Sequence, residues 1–154
     1  MNPSEFIMRL TTAAVASAKA TGVPASITIA QAALESAWGE SGLARNGNNL
    51  FGIKADSLWH GQTLTLNTKE FTKGQWVVVP ALWRKYPSWQ ASIDDHAAFL
   101  KRNPRYKVCF ACNSAKAFVR ALAQAGYATD PEYASKLIAV MDKHLLQTLD
   151  GGDL

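Results

Sequence analysis

Near the start of the chain, Phe6, Leu10, Ala13, Ala14 and Ser17 recur three and four positions apart, so one helical face is apolar or small. The spacing predicts a first helix from about Ser4 to Lys19, stopped by the glycine and proline of Thr21-Gly22-Val23-Pro24. Ser26 is placed to cap a second helix reaching Trp38, with Ile27, Ala30, Leu34 and Ala37 or Trp38 at helical spacing. Gly39 and Gly42 end it. Arg45-Asn46-Gly47-Asn48-Asn49 reads as a turn cluster leading into Leu50-Phe51-Gly52-Ile53.

Between Thr63 and Arg84 the period changes. Thr63-Leu64-Thr65-Leu66 alternates, Thr72-Lys73-Gly74-Gln75 turns, and Trp76-Val77-Val78-Val79 is rich in residues that favour strands, which predicts a hairpin. Helical signals then return. Ser92-Ile93-Asp94-Asp95 opens a helix to about Lys101, and Ser114 caps another with Ala115, Phe118, Val119 and Leu122 on one face and Gly126 closing it. Asp130-Pro131-Glu132 opens the last, with Tyr133, Leu137, Val140, Met141 and Leu145 as its buried face. The sum is a mainly α (α+β) domain with a β-hairpin insert, covering residues 1–149, and a loose tail over 150–154.

Composition narrows the class. Of the 154 residues 48% are hydrophobic and 18% charged, which describes a globular domain and excludes a disordered or coiled-coil chain. No apolar run approaches the roughly 20 residues that a membrane span needs. Ala14-Val15-Ala16-Ser17-Ala18 mimics a signal-cleavage site, but Glu5 ahead of it and the weakly apolar Leu10-Thr11-Thr12-Ala13 do not make a signal peptide. The net charge of +4 attracts anionic material. Its cations gather late, at Arg84, Lys85, Lys101, Arg102, Arg105 and Lys107 against Asp94 and Asp95. No nucleic-acid-binding signature accompanies them, and each reads singly as solvated surface charge. Cys109 and Cys112 form one CxxC with no second pair to complete a zinc site, so they read as structural thiols or a short-range disulfide formed after export.

The chemistry centres on Ala30-Gln31-Ala32-Ala33-Leu34-Glu35-Ser36-Ala37-Trp38-Gly39, where one acid sits in an alanine-rich run. Near a helix C-terminus the backbone dipole disfavours a carboxylate, and Trp38 three residues on would strip water from it. Both raise its pKa, as a general acid working near neutrality requires. The same spacing also fits a partly exposed helix residue beside Gln31, and spacing alone leaves the two readings open. Trp59 and Trp76, which flank or lie in the hairpin, are candidates for stacking on sugar rings; Trp83, Tyr86 and Trp89 are the other aromatics of that region.

Taken in order, that run, Asn48-Asn49-Leu50-Phe51-Gly52-Ile53-Lys54, Thr68-Lys69-Glu70-Phe71 with Gly74, Trp83-Arg84-Lys85-Tyr86 and Gly126-Tyr127-Ala128-Thr129-Asp130-Pro131-Glu132-Tyr133-Ala134 resemble the flagellar-type endo-β-N-acetylglucosaminidases of glycoside hydrolase family 73. The resemblance spans about Val23 to Leu145. It implies a lysozyme-like helical core that hydrolyses the glycan strands of peptidoglycan. It makes Glu35 the catalytic acid, Glu70 the second acidic position and Tyr127 the tyrosine lining the cleft. Asn49, Phe51 and Gly52 would hold the loop below the sugar site and contribute to substrate binding.

Glycosidic chemistry leaves the second step open. Carboxylates about 6.5–9.5 Å apart invert and about 5–5.5 Å apart retain configuration, while assistance by the substrate's N-acetyl group would spare Glu70. No metal or organic cofactor is called for, since side chains suffice for protonation and water activation. The expected partner is the peptidoglycan glycan strand, bound by a monomer, with neither nucleic acid nor stable membrane insertion. Lacking the family's rod-assembly segment and wall-binding repeats, the chain is similar to a bacteriophage endolysin, a prophage lysin or an exported antibacterial effector. Such a protein is made in the host cytoplasm without a signal peptide and acts in the periplasm or cell wall after release. A muramidase or lytic transglycosylase on the same core is the neighbouring reading, and a non-catalytic wall-binding or assembly module the rival of another class.

Overall fold

The computed structural model describes residues 1–151. Six α-helices surround a common core and one hairpin projects from them: α1 Pro3–Thr21, α2 Ala25–Ser36, α3 Gly42–Gly47, β1 Gln62–Thr72, β2 Gln75–Lys85, α4 Trp89–Arg102, α5 Ala115–Gln124 and α6 Tyr133–Lys143. Two 3-10 segments, Pro104–Ala111 and Leu146–Leu149, complete the chain. The strands pair antiparallel from Gln62 opposite Lys85 to Thr72 opposite Gln75, around the turn that the sequence places at Lys73 and Gly74.

Helix α2 lies at the centre. Ten of its twelve residues are buried, on every face, because alanine at positions 25, 30, 32 and 33 lets neighbours approach closely. Phe6, Leu10 and Ala14 of α1, Ile93 and Leu100 of α4, Val119 and Leu122 of α5 and Leu137 and Met141 of α6 fill the space around it. Such a helix has no polar stripe, which is why an amphipathic face read from Ile27, Ala30 and Leu34 fits it poorly; Leu34 is exposed.

Several caps differ from those expected, and burial explains most of the differences. Ser26 does not cap α2. It is buried inside the first turn, and both its backbone N–H and its hydroxyl donate to the carboxylate of Asp150. Asp150 therefore caps α2 from the other end of the chain, and the expected loose tail is anchored at its first residue. Residues 152–154 lie outside the described residues. Ser92 does not open α4 either: Ser88 does, accepting from the Ala91 N–H, while buried Ser92 accepts from the Leu50 N–H at 3.2 Å. The turn cluster at Arg45 begins as helix, since Ser41 caps α3 and left-handed Asn48 ends it. Helix α6 stops at Lys143, so Leu145, left-handed at φ 53°, faces solvent, and Leu146 takes the core position instead.

Arg84 overturns its reading as solvated charge. It is 2% exposed and holds Asp95 at 2.9 Å, Asp56 at 3.3 Å and the Lys54 carbonyl at 3.1 Å. A buried cation needs such partners, and Asp95 is further fixed by the Tyr86 hydroxyl at 2.6 Å. Lys101, Arg102, Arg105 and Lys107 do remain exposed. Cys109, in the first of the 3-10 segments, and Cys112, which caps its end, are both free thiols.

Asp150 gives the first test. Asp150→Ala removes the acceptor for two donors at the start of α2 and should cost about 1 kcal/mol, the usual worth of an N-terminal cap. Asp150→Asn should recover much of it. Thermal unfolding measures both, and an Asp150→Ala melting curve identical to wild type would show that the contact does not hold α2.

Candidate active site

Helix α2 leaves the core only at its last turn, and Glu35 stands there. Ser36 closes the helix by donating to the Ala32 carbonyl and accepting from the Gly39 N–H at 2.8 Å. The chain then runs through three left-handed residues, Ala37, Trp38 and Gly39. At Gly39 a side chain would also meet the rings of Phe6 and Trp89, so glycine is required there. Because the helix ends at Ser36, Trp38 lies beyond it in left-handed backbone and not three residues on along the helix face. Its ring packs edge-on against Phe6 and His144.

Another aromatic residue contacts the acid. The Tyr133 hydroxyl donates to Glu35 Oε1 at 3.1 Å, and buried Gln31 donates from Nε2 to that same hydroxyl at 2.9 Å. Tyr127 stacks on Tyr133 with ring centroids 5.6 Å apart and meets His96 edge-on at 6.4 Å, while His96 lies flat on Phe51 at 3.8 Å. A continuous aromatic wall thus runs from the Asn49–Ile53 loop to Glu35.

The electrostatics follow from this crowding. Glu35 keeps solvent on one side, yet protein packed around its carboxylate raises its pKa above the ordinary 4.5, while the Tyr133 hydrogen bond pulls the other way. Burial, aided by the Glu35 charge, pushes the Tyr133 and Tyr127 phenols far above their usual range, so both are neutral donors. Burial pushes His96 down to about 3, and neither of its ring nitrogens has a hydrogen-bond partner among the described residues.

The other expected site residues fall into three groups. Glu70 stands on β1 opposite Val77, exposed, with Lys54 Nζ at 3.2 Å. Strand alternation puts it on the same hairpin face as half-buried Leu64, Leu66 and Thr68. Asn49 and Phe51 are buried and support the loop. The Asn49 amide donates to the Ile53 and Arg84 carbonyls and accepts from the Gly52 and Ile53 N–H groups, while Gly52 is exposed at φ 68°. Trp59 and Trp76 do not join the Glu35 constellation. Trp59 lies over the Arg84 guanidinium at 4.8 Å and donates to the Gln62 carbonyl, and Trp76 pairs with Phe71 on the hairpin face that alternates away from Glu70.

Sequence reading missed Gln31 and Tyr133 as members of the site. The signal for Gln31 was its place four residues before Glu35, hence on the same helix face. Tyr133 was read only as part of the buried face of α6. Among the described residues no three His, Cys, Asp or Glu side chains gather into a metal site. What the arrangement offers is a carboxyl that holds its proton more tightly than usual, positioned by a phenol and open to solvent on one side.

Residues 11–146 match the Glucosaminidase family model, described as mannosyl-glycoprotein endo-beta-N-acetylglucosaminidase. The chain is 40% identical over 146 residues to the peptidoglycan hydrolase FlgJ of Vibrio parahaemolyticus, covering 92% of this chain and 47% of that protein. It is 42% identical over 130 residues to the exo-glucosaminidase LytG of Bacillus subtilis, covering 81% and 45%. The chain spans less than half the length of either relative. Its structure superposes on the catalytic domain of the autolysin Auto from Listeria monocytogenes with a TM-score of 0.88 at 34% identity, covering 96% of this chain and 87% of that one. The glycoside hydrolase domain of FlgJ from Salmonella typhimurium gives 0.79 at 38%, covering 96% and 91%. The lysozyme-like helical fold with its hairpin is common to them.

The raised pKa of Glu35 makes a prediction about stability. The folded state holds the Glu35 proton more tightly than the unfolded chain, so stability is fully present below pH 4.5 and falls as pH rises through the folded value. Glu35→Gln should therefore melt higher than wild type at pH 7 and close to it at pH 4. Melting temperatures at the two pH values decide it; the same difference at both would remove the burial argument.

Proposed function

The chain belongs to the Glucosaminidase family, and from that membership we propose that it is a peptidoglycan hydrolase cleaving the β-1,4 glycan backbone as an endo-β-N-acetylglucosaminidase. Residues 1–149 act as its single catalytic domain, with Asp150 tied to it. The observation that carries the proposal is Glu35, an acid with a raised pKa at the one end of α2 that reaches solvent, held by Tyr133. The names of FlgJ and LytG supply the substrate class and the bond.

In this reading Glu35 protonates the leaving glycosidic oxygen as oxocarbenium character develops on the sugar. Glu70 supplies the second carboxylate from the hairpin, where Lys54 Nζ lies 3.2 Å from it. As a base it would activate water for inversion, and as a nucleophile it would give retention. Tyr127 lines the cleft beside Tyr133. Asn49 and Phe51 act from below by fixing the loop, which leaves Gly52 as the member of that trio free to meet substrate. The protein acts on the bacterial cell wall, in the periplasm or beyond the membrane. A second reading is exo-cleavage, which the name of LytG favours; it would release single sugars or disaccharides from strand ends rather than long fragments.

Digestion of purified peptidoglycan, borohydride reduction and mass spectrometry test both. Reduced N-acetylglucosamine ends on fragments of many lengths are expected, and Glu35→Gln should retain the fold while lowering their release at least ~100-fold. Reduced or anhydro-N-acetylmuramic ends would assign the other bond. The absence of new ends would leave a wall-binding module. Inclusion of Glu70→Gln separates the routes, since substrate assistance alone would leave that variant active.

A further inference from the structure

Gln31 sits one turn before Glu35 on α2, fully buried, in a segment where every other residue from Ala25 to Ala33 is buried as well. An apolar side chain of the same length would fill that place without a desolvation cost. Gln31 instead brings in an amide whose Oε1 has no hydrogen-bond partner among the described residues. Packing therefore does not account for it. What the amide does make is the 2.9 Å bond from Nε2 to the Tyr133 hydroxyl, which in turn donates to Glu35 Oε1. A phenol carries a single proton. With Gln31 donating to the phenol oxygen, that proton is directed at Glu35.

We propose that Gln31 is a positioning residue which, acting through Tyr133, sets how tightly Glu35 holds its proton. The consequence for rate rests on the reading of Glu35 as the general acid; the coupling itself is a property of the carboxyl's titration. Two titratable groups face Glu35: Tyr133 from α6 and Tyr127 from the segment ahead of it, both neutral phenols. No cation forms an ion pair with Glu35 among the described residues, and neutral His96 lies behind Tyr127. A hydrogen bond to the carboxylate favours its ionised form, and a phenol that itself accepts a bond is the stronger donor. Loss of Gln31 should therefore raise the Glu35 midpoint, as loss of the Tyr133 hydroxyl should, but by less.

The test follows the Glu35 carboxyl by carbon NMR in glutamate-labelled protein, in the wild type, Gln31→Met, Tyr133→Phe and the double variant. Tyr133→Phe should raise the midpoint by about one pH unit and Gln31→Met by about half of that. The double variant should come close to Tyr133→Phe alone, because the hydrogen bond from Gln31 toward the acid runs through the Tyr133 hydroxyl. In hydrolysis assays the alkaline limb of the kcat profile should move up with the midpoint. Gln31→Met should lower the plateau kcat by no more than about threefold, the most a half-unit weaker acid gives, with KM nearly unchanged. Should Gln31→Met not fold, isosteric Gln31→Glu serves, since a carboxylate there would accept the Tyr133 hydroxyl's hydrogen bond in place of Glu35 and raise the midpoint further. An unchanged midpoint in the Gln31 variants, or shifts that simply add in the double variant, would overturn the inference. Midpoints that couple as expected in a protein whose Glu35→Gln form still cuts peptidoglycan would overturn the catalytic reading and leave the coupling intact.

Discussion

Burial of α2 on nearly every side is the condition that the rest of the molecule meets. A helix enclosed by helices on all faces gains apolar contact along its whole length, but a polar side chain on it can find a partner only within the protein, and Thr28 Oγ1 finds none among the described residues. Ser26 finds Asp150, Ser36 finds its own turn, and Gln31 finds Tyr133. Each such bond contributes about 1 kcal/mol net, and leaving one unmade costs more than forming it gains. Two of these bonds also tie α2 to chain more than a hundred residues away in sequence. The acid appears where this enclosure stops, at the turn where Leu34 and Glu35 come out of the core.

A second junction places the hairpin on this helical body. Asn49 uses one amide to bond Ile53 and Arg84 together, and Arg84 reaches from β2 to Asp95 on α4 and to Asp56 in the loop ahead of β1. Trp59 closes over the guanidinium and excludes water, which strengthens the ion pairs it covers. The base of the hairpin is therefore fixed by buried charge, whereas toward its tip Phe71, Trp76 and Val78 are exposed. Glu70 belongs to that outer part. Its place relative to Glu35 depends on the Arg84 and Asn49 bonds at the base, several residues from the acid itself.

The elements were legible because hydrophobic period is a local property. The recurrence of Phe6, Leu10 and Ala14, and the change of period after Thr63, mark helix and hairpin without knowledge of any partner. Partners were not legible in the same way. Ser26 and Ser92 look like caps because serine ahead of an apolar run usually is one, yet both are buried and serve distant groups. Arg84 looks solvated among lysines and arginines until Asp95 and Asp56 are seen to converge on it. In the site, Glu35 and Tyr127 stood out only through the motif resemblance together with the lone acid in an alanine run. Tyr133 was hidden because a tyrosine on a helix face reads as packing, and only its hydroxyl direction distinguishes the two roles.

The balance at Glu35 shows which physical effect sets its acidity. The dipole at a helix end is worth about 0.3–1 kcal/mol at an exposed site, and the Ala37 and Trp38 N–H groups already satisfy the Ala33 carbonyl. A hydrogen bond to a charged carboxylate is worth about 1.5–3 kcal/mol and acts in the opposite sense. Those two effects alone would leave Glu35 an ordinary or stronger acid. Its raised pKa therefore requires that crowding by the protein outweigh the Tyr133 bond. That crowding comes from the close approach of the helices and aromatic rings around α2, which its alanines permit. The alanine-rich run thus has two linked effects: it draws the fold in around the helix, and the same closeness removes water from one side of the acid at its end.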